Sequence, residues 1–213
     1  MKLIPSLALI LFSSSYGNSF TVSNTLPDDL NKATNIFSKS VEVFGLRVLS
    51  TNTVADAKVL HTANVLAEYL DNDENGTVDQ PSVLTKLLGN TKAEIATMVL
   101  FASENEQASF ENSLGPLMTV LTRTQNLFAN EIFENGSSGN NRDATLEEVL
   151  HLVTDLGWDK AFPSIWGEQA GSSIADAMDV ARGGYFETVP AQYPAQAWYT
   201  YYDNTSDYPT QIT

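Results

Sequence analysis

Residues Val54 to Leu70 constrain the fold more than any other stretch of the chain. Val54, Val59, Leu60, Ala63, Val65, Leu66, Ala67 and Leu70 make it apolar nearly all round at helical spacing. A helix of that kind is expected to be buried. Its exceptions are His61, Asn64, Glu68 and Asp71, which fall within a sector of roughly 80° at about 100° per residue. Buried polar groups are costly unless paired. The narrow stripe therefore predicts a partner, either a cation liganded from two helices or a water-bridged network.

The rest of the chain reads as mainly α with minor β, a single globular domain over residues 18–213 with an irregular, aromatic-rich C-terminal tail. Leu30, Ala33, Phe37, Val41 and Phe44 recur at helical steps after Pro27 and predict a first helix ended by Gly45. Leu46–Leu49 and Met98–Ala102 are the strand candidates. Pro81 suits the first position of a short helix closed by Gly89. Residues 104–112 read as a polar helix, and Gly136–Asn141 as a loop. Further helices are predicted from Thr145 to Leu156 and from Ser173 to Ala181. From Tyr185 onward Pro190, Pro194 and Pro209 break regular structure, and the tail's aromatics are expected to seal the core.

Lys2, the apolar run Leu3–Phe12 and the small residues up to Gly17 have the three parts of a secretory signal, so residues 1–17 are expected to be removed on export. No later stretch is apolar enough to span a membrane. The chain has no cysteine, so an exported domain must draw its stability from core packing, with bound metal the other source open to it. A net charge of −15 repels nucleic acid and anionic lipid. The remaining partner classes are peptide, glycan or protein. Glycosylation sequons stand at Asn75, Asn135 and Asn204.

Chemistry concentrates in two segments. In Thr145–His151 the apolar stripe is Leu146, Val149, Leu150 and, one turn on, Val153. Glu147 and His151 stack one turn apart outside that stripe, with Glu148 beside them. Two ligands so spaced can grip one ion while a neighbouring glutamate polarises its water. The segment resembles the HExxH helix of zincin metallopeptidases over five residues, with Glu147 where the first histidine would stand. The resemblance implies a zinc-dependent hydrolase acting on peptides. Glu147 and His151 would be ligands and Glu148 the general base. The polar stripe of the buried helix adds Glu68 to the metal cluster, and His61 either as a further ligand or as a group supporting one. If His61 is not a ligand, Asp176 or Asp179 would supply the third from a later helix. The residues also admit a capping box between Thr145 and Glu148 and a ladder linking Asp176 and Asp179 to Arg182. Glu148-x-x-His151 matches one half of a di-iron bundle motif as well.

The second segment follows the buried helix directly. Asp71-Asn72-Asp73-Glu74-Asn75-Gly76-Thr77-Val78-Asp79 is similar to the start of an EF-hand calcium loop. Asp71, Asp73 and Asn75 take positions 1, 3 and 5, Gly76 the turn, Thr77 the carbonyl at 7 and Asp79 position 9. Ser82 stands where the family carries its bidentate glutamate. The leading expectation is thus a secreted metal-binding protein of zincin-like hydrolase type with a structural calcium loop. The alternatives are a non-enzymatic extracellular protein binding calcium and a partner, and a di-iron or purely structural helical domain.

Overall fold

The computed structural model describes residues 20–136, 141–201 and 208. The signal segment 1–17, the sequon at Asn204 and most of the Gly136–Asn141 loop lie outside them. Four five-residue strands form one sheet: β1 (Lys39–Val43), β2 (Leu46–Ser50), β3 (Thr97–Phe101) and β4 (Thr124–Phe128), in the order β1-β2-β3-β4. The β1–β2 pair is antiparallel, and β2–β3 and β3–β4 are parallel.

The helices come in chain order between and after the strands. The connection from β2 to β3 carries α1 (Asp56–Leu70) and α2 (Pro81–Leu88). The connection from β3 to β4 carries α3 (Glu104–Ser109) and α4 (Glu111–Leu117). After β4 come α5 (Thr145–Val153), a π-helical turn at Thr154–Trp158, then α6 (Asp159–Ala161), α7 (Pro163–Trp166) and α8 (Ser173–Arg182).

The sheet separates two cores. Val48 of β2, Met98 and Leu100 of β3 and Leu127 of β4 face α1, α2 and α5. Leu49, Val99 and Phe101 face the other way, against a 3₁₀ turn at Asp28–Ala33 and Leu117 of α4. Every residue of β2 and β3 is buried, as expected of central strands covered on both sides. Each large apolar side chain so buried contributes about 1.5–3 kcal/mol. No described helix is long and apolar enough to cross a membrane.

This is an α/β protein and not the mainly α domain that periodicity predicts. The predicted first helix is a short 3₁₀ turn followed by β1. Phe37, Val41 and Phe44 lie at helical spacing, but Val41 and Val43 alternate inward while Glu42 is exposed, which is the period of a strand. Gly45, expected to end a helix, instead joins Phe44 at positive φ (87° and 51°) to close the β1–β2 hairpin. The β4 strand, with one buried residue in five, gives no apolar run to read. The two strand candidates lie on β2 and β3, and α1, α2, α5 and α8 start within two residues of their predicted positions. In the tail, Phe186 packs edge-on to Tyr193 and Tyr208 is buried, but Trp198 is 81% exposed and seals nothing.

The π turn docks on α2 through Gly157. A Cβ there would lie 2.8 Å from Val83 Cγ1 and 3.1 Å from Leu87 Cγ, both buried. Gly157→Ala should lower stability by about 1–3 kcal/mol through overpacking. Gly115→Ala on α4, where a Cβ meets nothing within 4 Å, should stay within about 0.5 kcal/mol of the parent. Urea denaturation of both variants checks the contrast.

Candidate functional site

The end of α1 runs into the acidic loop without a break. Asp71 is the C-cap of α1 and is 0% exposed. Its Oδ1 accepts from the Asn75 N–H at 3.1 Å and its Oδ2 from the Gly76 N–H at 2.8 Å. Asn75 Oδ1 accepts from the Thr77 N–H, and Asp79 Oδ2 from the Asn72 N–H, both at 2.9 Å. The Asp79 N–H donates to the Leu70 carbonyl at 2.8 Å and closes the loop back onto α1. Gly76 holds φ at +85°, the left-handed turn that the motif requires of this position.

These contacts bring one carboxylate oxygen each from Asp71, Asp73 and Asp79 within 4.8 Å of one another. Asp73 and Asp79 form no ion pair with a described lysine or arginine. Glu68, expected beside the histidines, belongs to this acidic region instead. Burial, then the Glu74 carboxylate, then Asp71 lift its pKa above the ordinary range. Beyond the loop lies a cavity of about 300 Å³ lined in part by Tyr69, Val78, Asp79, Val83 and Trp158.

The two histidines have different surroundings. His61 Nε2 lies 2.7 Å from Asp143 Oδ2. The other oxygen of Asp143 accepts from the Thr145 hydroxyl at 2.8 Å and from the backbone N–H groups of Phe133 and Thr145 at 3.2 Å. Burial alone would raise this carboxyl, but the hydrogen bonds from His61, Thr145 and Phe133 outweigh it and hold the pKa below the usual value. These hydrogen bonds favour the carboxylate form of Asp143, which acts as the acceptor at this junction. His151 lines a groove of about 440 Å³ between α5 and the start of β4, with Glu148, Asp155, Gln125 and Arg123, and without His61 or Asp143.

The remaining predicted ligands are dispersed. Glu147 is exposed and pairs with Arg142 at 3.1 Å. Glu148 accepts from Gln125 Nε2 at 2.6 Å and does not cap the helix; Thr145 is held by Asp143, so the capping box does not form. On α8, Asp176 is exposed. Asp179 accepts from Arg182 at 2.9 Å and from the Tyr208 hydroxyl at 2.7 Å. Burial and then Asp179 push that hydroxyl's pKa up to about 12, which keeps it a donor. Among the described residues, groups of three metal-capable side chains occur at Asp71–Asp73–Asp79 and at Asp155–Asp159–Glu168, and neither contains a histidine. In the second group Lys160 already contacts Asp155 and Asp159.

Asp143 and Gln125 were not identified in the sequence as partners of His61 and Glu148. Asp143 had a readable signal: an aspartate two residues before a threonine at a helix start is a turn former that accepts from the i+2 N–H. Comparison by family model, by curated sequence and by solved structure finds no match for this chain.

The depressed pKa of Asp143 makes a stability prediction. Its contribution is complete above the unfolded carboxylate value and is lost as pH falls through the folded one. Asp143→Asn should cost about 1–3 kcal/mol near neutral pH. The gap to the parent should close under acid conditions, as read from urea midpoints across a pH series.

Proposed function

We propose that this chain is an exported calcium-binding protein whose ion sits in the loop between α1 and α2. The observation that carries the reading is the convergence of Asp71, Asp73 and Asp79, within 4.8 Å of one another, at the spacing of an EF-hand loop. The donors are all oxygens, as a hard cation prefers. Two of the three acids have no described cationic side chain paired with them. The backbone N–H groups of Asn75 and Gly76 orient the buried Asp71 carboxylate, so one ligand is fixed before the ion arrives.

Ser82 in place of the bidentate glutamate removes two oxygens from the coordination shell. Affinity then belongs in the weak class, roughly 10⁻⁴–10⁻³ M, which serves extracellular modules. The apolar Leu3–Phe12 stretch supports that location. Calcium bound here would tie α1 to α2 across their connecting loop, a role in stability and presentation that needs no catalytic step. A zincin-like centre would need Glu147 to leave Arg142 and His151 to gain ligands from other elements, so the geometry favours the calcium reading.

Free calcium at about 100 times Kd should raise unfolding stability by about 2.7 kcal/mol, and EGTA should reverse the rise. Tryptophan emission should change in step, because Trp158 lines the cavity that Val78 and Asp79 share. Asp73 is exposed, so Asp73→Ala should leave the calcium-free protein within about 0.5 kcal/mol of the parent while removing the calcium response. No binding heat at millimolar calcium and no chelator-sensitive shift in the melting midpoint would overturn the reading.

A further inference from the structure

The groove between α5 and the start of β4 is built from groups that the calcium reading leaves unused. Glu148 and His151 are one turn apart on the same helix face, and Gln125 reaches Glu148 from the start of β4. Gln125 gives an N–H to Glu148, and its amide oxygen remains an acceptor. The His151 ring makes no hydrogen bond to a described side chain. Glu148 forms no ion pair with a described lysine or arginine. Arg123, the nearest guanidinium in the groove, donates to the carbonyls of Lys86, Glu94 and Leu156, which commits it to the walls.

Three kinds of acceptor thus border one space: a carboxylate, an imidazole nitrogen and an amide oxygen. Leu152 and Leu156 add apolar wall beside them. Further acids stand near Glu148. Burial and then the carboxylates of Glu148 and Glu104 lift the Glu131 pKa, as expected where acids crowd one side of a surface. Asp155, also in the lining, is already paired with Lys160, so Glu148 is the lining carboxylate without a described ion pair.

We infer that this groove binds a primary alkylammonium group, with Glu148, Gln125 and His151 as acceptors and Leu152 and Leu156 along its methylenes. A primary ammonium has three N–H donors and no acceptor, the complement of this lining. The same chemistry is offered by a small aliphatic amine or by a lysine side chain of a peptide. The inference stands apart from the calcium loop, which shares none of these residues.

The chain has two histidines, so its imidazole NMR signals form a two-site reporter. Titration with n-butylammonium chloride at fixed ionic strength should shift the His151 signal saturably and leave His61 unmoved. Tetramethylammonium, which has charge but no N–H donor, should give no saturable shift. Glu148→Gln and Gln125→Met should each weaken binding about tenfold, and Glu42→Gln on the exposed face of β1 should not. N-acetyl-lysine N-methylamide binding at least as tightly as n-butylammonium assigns the site to lysine side chains; weaker binding assigns it to free amines. A His151 signal that does not saturate overturns the inference. So does an equal response to tetramethylammonium, or unchanged affinity in both groove variants when each is folded by circular dichroism.

Discussion

A fully buried carboxylate at the end of a buried helix organises this molecule. Asp71 closes α1 with no exposed surface, and its charge is met by the N–H groups of Asn75 and Gly76. Taking a carboxylate out of water costs several kcal/mol unless hydrogen bonds and opposite charge offset it. The N–H groups supply part of that offset and force the chain into the tight turn that Gly76 permits. The turn carries Asp73 and Asp79 to the same point. Like charges held together this way repel, and a divalent ion relieves the repulsion. The proposed cation site in this loop thus follows from how the buried end of α1 is satisfied.

Asp143 follows the same logic with a different solution. It too is buried beside α1, and backbone N–H groups again meet one of its oxygens. Here the second oxygen goes to the imidazole of His61. The polar stripe on α1 therefore splits between two partners along its length. His61 takes Asp143 from the segment before α5, while Glu68 and Asp71 belong to the acidic loop. The sequence suggested a cation liganded from two helices or a water-bridged network, and the fold instead divides the stripe between Asp143 and the acidic loop.

What the sequence revealed follows the sequence distance between partners. The three acids of the α1–α2 loop lie within nine consecutive residues, so their spacing carries their convergence and the cluster can be read directly. His61 and Asp143 are 82 residues apart, and Gln125 and Glu148 are 23 apart. Such pairs depend on how elements pack, and no local pattern encodes them. The fold class failed for a related reason. Helices α1, α2, α5 and α8 are long enough to show periodicity, but the strands are five residues each. At that length, Phe37, Val41 and Phe44 satisfy a helical spacing by accident and β4 shows no pattern at all. The sheet becomes visible only when both faces of β3 are seen to be covered.

Donor chemistry, more than the number of acids, decides what each cluster can hold. A chain of net charge −15 will crowd carboxylates by composition alone, and two such groups occur among the described residues. At Asp155, Asp159 and Glu168 the crowding is internally neutralised, because Lys160 contacts two of the three. At the α1–α2 loop the acids are aligned by backbone amides and the donors are oxygen only. A soft or borderline metal prefers imidazole or thiolate, and this chain has no thiol and has both imidazoles placed elsewhere. The same accounting separates the α5 groove from a metal centre. Its acceptors are of mixed kind and do not converge as a ligand trio, so what they suit is a group that brings several hydrogens of its own.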